Sequence, residues 1–417
     1  MTMTLTPTIR HDRPARVAQA GPHRTVAERA DRPARPLRVA FVIDRLSRAG
    51  TESQLLALIR HLDRRRVEPL LCLVNGQDEA SRALEPDDVP ILRLNMHSFH
   101  KPCVVREGWR FVQFLRQQRV DIVQTYFQDS TYFAVPLARL AGVRRIVRVR
   151  NNAGYWLTPI HHWLGRLMGR LVDVTLTNCH RARAELLRAE GVLPEKVVVL
   201  ENGVDLERFL ASSPTDLHGR TGTIHIGVVA NLRPVKALDL LIEAAADLAG
   251  RYPQLIFQVA GEGEDRPRLE RLIAERGLGR RFQLLGSVSD VPAFLARQDI
   301  AVLCSHSEGM SNALLEYMAA GRAIVATAVG ACQRLIEPEV HGLVVPPGDP
   351  AALTAALQRL LTNPGLAKRL AVAARERVRS QYSRQAMVRR FEEFYRRLYR
   401  GRLHLRPLLR QLRTLTR

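Results

Sequence analysis

Lysine is nearly absent from this chain. Only Lys101, Lys196, Lys236 and Lys368 occur among 417 residues, so nearly all of its 63 basic side chains are arginines. A bilayer-spanning helix needs about twenty successive apolar residues, and no stretch approaches that. There is no apolar core of a secretory signal near the start and no internal repeat of solenoid length. Aromatic residues make up only 6%, and no nucleic-acid module is recognisable, which makes nucleic acid the least favoured partner for so basic a chain. Five cysteines, Cys72, Cys103, Cys179, Cys304 and Cys332, are scattered without paired metal spacing. Three fall in or near apolar runs, the pattern of reduced core thiols in a reducing cytoplasm. Neither an Asp-x-Asp pair nor a histidine cluster with ligand spacing is present, so no metal and no cofactor are expected.

At 417 residues the chain exceeds one ordinary core, and two domains are expected. A hydrophobic content of 46% with 25% charged residues describes a soluble globular protein. The formal net charge is +22, and much of it lies at the ends. Seven arginines face three carboxylates before Leu37, and eleven face two after Ser383. Residues 1–36, rich in Arg, Pro, Thr and Ala, cannot bury enough surface to fold and read as a disordered tail. Beyond Gly401, Leu403, Leu405, Leu408, Leu409, Leu412 and Leu415 alternate with arginines around Pro407. That is the pattern of a helix lying on an anionic membrane surface, or of leucines packed on the first domain among solvated arginines.

From Leu37 onward short β-branched runs alternate with amphipathic ones, as in a parallel α/β sheet. Strands are expected at 38–43, 69–74, 91–95, 121–125, 145–149, 172–177 and 196–201, with helices such as 52–62 and 109–118. Glu201-Asn202-Gly203-Val204-Asp205 and the polar segment through Gly222 have the composition of a hinge. A second series follows, with strands at 224–230, 255–260, 281–285, 300–304, 323–326 and 343–345 and helices at 238–250, 266–276 and 351–361. After Ser383 a long helix with Val388, Phe391, Phe394, Tyr395 and Leu398 on one side can cross back onto the first domain. The expected division is therefore 37–218, 219–383 and a crossing helix with a basic tail at 384–417.

In open α/β sheets ligands bind beyond the carboxyl ends of the strands, which selects five loops. The most informative runs from Ser305 to Gly321. Ser311 or Asn312 can cap a helix there, and Gly321 can end it. Free N–H groups around Met310 to Asn312 then face an anion. Glu308 sits on the loop ahead, with little to pack against, and Glu316 lies about one turn inside the helix. This arrangement suits a ligand that is anionic in one part and hydroxyl-rich elsewhere, such as a nucleotide sugar. The plainer reading is a surface helix with two ordinary glutamates. Of the other loops, Arg48-Ala49-Gly50-Thr51-Glu52 offers one close backbone approach for a phosphate or sugar at Gly50 and Thr51, and is not a dinucleotide G-x-G-x-x-G. Arg233 and Lys236 can grip a diphosphate and neutralise its growing charge. Gly261-Glu262-Gly263 and Gly286-Ser287-Val288 read alone as turns.

Glu308-Gly309-Met310-Ser311-Asn312, followed by Leu314-Leu315-Glu316, resembles the E-x7-E signature of retaining glycosyltransferases, and more narrowly the large bacterial family 4. The resemblance runs from about Arg38 to Leu361 and is strongest between Gly227 and Gly348. It implies two doubly wound, Rossmann-like α/β domains facing a cleft, the architecture called GT-B. It also implies that Lys236 completes an R-x-x-K pair with Arg233, that Glu308 contacts the donor sugar and that Glu316 holds the ribose. Gly261 and Val288 would line the nucleotide, the second through main-chain groups. The family's paired glycines are Ala49-Gly50 here, a small departure. Its His-x-His segment is replaced by Gln124, Thr125 and Tyr126; Tyr126 and Gln128 can still bond hydroxyls, or Tyr126 can be core. Arg150-Asn151-Asn152-Ala153-Gly154-Tyr155-Trp156 resembles an Arg-Asn-x-Gly-Tyr-Trp loop of some members, suited to sugar contact or to a buried turn.

The activity implied is metal-independent, retaining transfer from a UDP- or GDP-sugar to a glycan or lipid-linked acceptor in bacterial polysaccharide synthesis. Its expected setting is the cytoplasm, peripheral at the inner membrane. A nucleotide-sugar epimerase of the same architecture is the nearest alternative. A phosphorylase would need pyridoxal phosphate on a lysine, which so few lysines disfavour. A non-catalytic basic scaffold binding membrane or nucleic acid is the remaining reading, and the intact Arg233, Lys236, Glu308 and Glu316 oppose it.

Overall fold

The computed structural model describes residues 35–47, 49–76, 78–96, 103–151, 158–218 and 222–401. The Arg/Pro-rich tail up to residue 34, Arg48, Asn152 to Trp156 and the leucine–arginine segment from 402 lie outside the described residues.

The inner Val/Ile/Leu runs become strands buried on both faces, as parallel sheets require, while Ile91–Arg93 and Phe282–Gly286 at the sheet edges are partly exposed. The first sheet has seven strands in the order β3-β2-β1-β4-β5-β6-β7. These are β1 (Leu37–Ile43), β2 (Val67–Leu73), β3 (Ile91–Arg93), β4 (Ile122–Thr125), β5 (Arg145–Val149), β6 (Val174–Thr177) and β7 (Val197–Val199). The second has six, in the order β10-β9-β8-β11-β12-β13. They are β8 (Ile224–Val229), β9 (Leu255–Ala260), β10 (Phe282–Gly286), β11 (Ile300–Leu303), β12 (Ala323–Thr327) and β13 (Leu343–Val345). Every ladder between these strands is parallel. Strand order reverses between β1 and β4 and between β8 and β11, and such switch points open a crevice at the carboxyl edge of each sheet.

Period-two alternation sends Val39, Phe41 and Ile43 to one face of the first sheet and Ala40 and Val42 to the other. The first face is covered by the helix Gly50–His61 and by Arg384–Tyr399. The second is covered by Cys103–Gln117 and Gln128–Ala141, with Met168 and Leu171 of Pro159–Leu171. Gln128–Ala141, Pro159–Leu171, His180–Glu190 and Pro364–Gln381 are helices that the sequence pattern did not mark. Gln128–Ala141 contains Pro136 in its interior, a residue that normally ends a helix. Its buried Phe133, Ala134, Val135 and Ala138 hold it in place.

Ser383 accepts a hydrogen bond from Ala386 N and so starts the last described helix. Val204 forms a parallel bridge with Ser383, and from there Met387, Val388, Phe394, Tyr395 and Leu398 enter the core of the first sheet. Tyr395 Oη donates to Gln124 Oε1 at 2.9 Å, and Arg145 Nε donates to Leu398 O at 2.9 Å. No helix among the described residues is long and apolar enough to cross a membrane.

Candidate active site

The loop after β11 breaks into polar sequence, and the helix Asn312–Ala319 begins where Ser311 Oγ accepts from Leu314 N. Ser311 is therefore the cap. Asn312 has a different use: its Nδ2 donates to Gly50 O at 3.0 Å. Its Oδ1 accepts from Asn202 Nδ2 at 2.8 Å and from Gln54 Nε2 at 3.1 Å. One carboxamide thus ties the start of this helix in the second domain to three places on the first. Gly309 makes the same approach through backbone, since a Cβ there would lie 2.1 Å from Asn151 O. Met310 is buried, and its Sδ accepts from Asn202 N at 3.1 Å.

Arg233 and Lys236 stand at either end of a tight turn after β8, with Lys236 N donating to Arg233 O at 2.9 Å. Lys236 Nζ reaches Glu308 Oε1 at 2.7 Å, and Ser305 Oγ donates to the same oxygen at 2.7 Å. Glu308 is not the loosely held loop residue that the sequence suggests. Its side chain is 10% exposed and ion-paired, because the turn after β8 and the loop after β11 leave adjacent strands at the same edge. Arg233 is exposed and has no side-chain partner among the described residues. Glu316 is half-buried, and loss of hydration pushes its carboxyl up to about 7, with Arg208 opposing.

Gly261 N donates to Gly286 O at 2.8 Å, so the turns after β9 and β10 are one unit. Gly261 has a φ of 153°, and a Cβ would lie 1.8 Å from Ala230 O, so glycine is required at this close approach. Val288 packs its side chain against the cluster that contains Met310 and Leu314.

On the first domain, Thr51, Tyr126, Arg150 and Asn151 line a cleft of about 260 Å3. Tyr126 is 5% exposed, and its hydroxyl accepts from Gln124 Nε2 at 2.6 Å. It forms a wall with its oxygen already engaged. Arg150 is held by the buried Glu190, at 3.3 Å, and Glu190 also pairs with Arg148 at 2.7 Å. Phe127 lines the same cleft with a φ of 61°, a costly conformation for a residue with a Cβ.

Sequence reasoning missed four participants. Asp44 follows β1 and lines the cleft, accepts from Ser130 N at 2.8 Å and from Ser130 Oγ, and burial raises its pKa. Asn178 follows β6 and is buried with its Oδ1 unpartnered. Both stand at carboxyl strand ends, so the rule that selected five loops also reaches them. Gln54 and Asn202 become legible only once the two domains meet. Among the described residues no group of His, Cys, Asp and Glu could hold a metal ion.

The site thus joins a cationic turn, a helix N-terminus and two carboxylates on one side to a polar cleft on the other. Two family models match the chain: Glycosyl transferases group 1 over residues 217–377 and Glycosyltransferase Family 4 over residues 48–208. The alpha-D-kanosaminyltransferase of Streptomyces kanamyceticus is 31% identical over 290 residues, covering 64% of this chain and 74% of the relative. The D-inositol 3-phosphate glycosyltransferase of Frankia alni is 29% identical over 283 residues, covering 61% and 69%. Among solved structures, HepE of Anabaena in complex with UDP superposes with a TM-score of 0.75 at 18% identity, covering 86% of this chain and 99% of that one.

Proposed function

This chain belongs to the group 1 and family 4 glycosyl transferases, and from that premise we propose that it moves a sugar from a nucleoside diphosphate to a glycan or lipid-linked acceptor with retention and without a metal. The observation that carries the reading is the meeting of Lys236, Glu308 and the capped start of the Glu316 helix at one sheet edge. Residues 219–383 would hold the donor and 37–218 the acceptor. Arg233, Lys236 and the N–H groups around Met310 to Asn312 would stabilise the departing diphosphate. Glu308 would orient the sugar hydroxyls, and Glu316 would accept from the ribose. Catalysis is then chiefly orientation and electrostatics, with the acceptor hydroxyl attacking on the leaving-group face and a phosphate oxygen taking its proton. The Anabaena neighbour's UDP supports a uridine donor, with GDP-sugars as the other candidates. Bacterial polysaccharide assembly in the cytoplasm, peripheral at the inner membrane, is the setting that fits so basic a chain.

The test is a thermal-shift panel of UDP, GDP, ADP and their sugars, followed by product analysis with the sugar that stabilises most. One diphosphate and its sugar should raise the melting temperature, and transfer to an added glycan should follow. Interconversion of the nucleotide sugar without transfer would instead make the protein an epimerase. Salt-sensitive RNA or DNA binding with no nucleotide response would make it a scaffold.

A further inference from the structure

The largest exposed apolar side chains are concentrated on one flank of the first domain. Val105 (79% exposed) and Trp109 (61%) stand on Cys103–Gln117, and Ile160 (62%) and Trp163 (60%) stand on Pro159–Leu171. Gln128–Ala141 packs between those helices. These helices cover the sheet face opposite the crossing helix, so the fold's own closing element does not bury them. Scattered apolar side chains are ordinary on a protein surface, but a group containing two exposed tryptophans marks an interaction site.

The charge around them says what kind. The two outer helices carry five arginines, Arg106, Arg110, Arg116, Arg166 and Arg170, against one carboxylate, Glu107. Glu107 is buried and paired with Arg110 at 2.6 Å and with Arg106 at 3.7 Å, whereas the second helix has no acid at all. A twofold contact with another copy would set arginine against arginine. An anionic bilayer answers both features, since indole rings settle at headgroup depth and arginines meet lipid phosphates. Ile160 also lies in the first turn of the helix that follows β5, so the flank adjoins the edge where the cleft opens.

We propose that the outer faces of Cys103–Gln117 and Pro159–Leu171 form a docking surface for an anionic lipid bilayer, with Trp109 and Trp163 inserted among the headgroups. The surface goes beyond the donor reading and does not depend on it. The test is flotation of the full chain with phosphatidylglycerol-rich vesicles and with phosphatidylcholine vesicles. The wild type should float only with the anionic set, with a blue shift of tryptophan emission. Arg166→Ala with Arg170→Ala should lower partitioning about five-fold per arginine removed, at the loss of one exposed hydrogen bond, Arg166 to Ala189 O. Trp109→Glu with Trp163→Glu should abolish flotation at an unchanged melting temperature, and a chain ending at Gly401 should still float. Failure of the wild type to float overturns the proposal, as does flotation of both variants at wild-type levels with loss on truncation, which assigns the contact to residues 402–417. Conversion of a wild-type dimer to monomer by the tryptophan variant, with flotation unchanged, would assign the flank to a second copy.

Discussion

Lys236 and Glu308 neutralise one another at 2.7 Å before any ligand arrives, so a diphosphate must offer Lys236 a better anionic partner than the carboxylate it already has. Lys236→Ala should therefore weaken UDP binding by about 1.5–3 kcal/mol, the range for one hydrogen bond to a charged group, while uridine binding hardly changes. Titration calorimetry with both ligands checks this, and equal weakening would place Lys236 away from the diphosphate. Glu316 supplies a second test at this scale. Its carboxyl takes up a proton near pH 7 in the folded chain and at the ordinary value of 4.5 in the unfolded one. The stability gained from the neutral form is thus fully present below 4.5 and is lost as pH rises through about 7. Glu316→Gln keeps a neutral group throughout, so without ligand it should be more stable than wild type at alkaline pH by roughly 1–3 kcal/mol. The gap should close in acid. Urea melts across that range giving a constant difference would mean that the carboxylate is not desolvated.

The helix Arg384–Tyr399 does more than fill space. Tyr395 donates to Gln124, and Gln124 donates to Tyr126, which walls the first domain's cleft, the proposed acceptor site. Tyr395→Phe leaves Gln124 Oε1 buried without its donor, a loss of about 1–3 kcal/mol, and it should shift acceptor KM more than donor KM. Unchanged stability and unchanged KM would mean that the chain of bonds is incidental. This element also shows what a sequence can disclose. Its apolar spacing at Val388, Phe394, Tyr395 and Leu398 was legible, and so were all thirteen strands, to within a few residues at their ends, because β-branched runs buried on both faces leave an unbroken mark. Gln128–Ala141 was not, since Pro136 weakens its local signal and tertiary burial decides the outcome. At the site, Glu308, Glu316, Arg233 and Lys236 could be picked from one strand-end rule and one spacing. The commitment of Asn312 to Gly50 and Asn202 could not, because no local pattern records which loop of another domain lies opposite.

Across the whole molecule, that carboxamide is where closure can be tested. Asn312→Ala removes three hydrogen bonds between the domains and spares the Ser311 cap. Each contributes about 0.5–1.5 kcal/mol net, so the ligand-free variant should populate a more open form. Small-angle scattering should show a larger radius of gyration than wild type, reversed by UDP. Identical profiles would mean that other contacts, such as Arg334 with Glu201 at 2.7 Å, hold the domains unaided. The crossing helix, finally, has a consequence for biosynthesis. The first domain emerges from the ribosome first, yet the face formed by Val39, Phe41 and Ile43 waits for Met387, Phe394 and Tyr395 from the far end of the chain. The second domain can finish folding while the first is still incomplete, reversing the usual vectorial order. Until that helix is released, the nascent chain carries an apolar face covered only in part, by Gly50–His61, and that interval is when it most needs a chaperone.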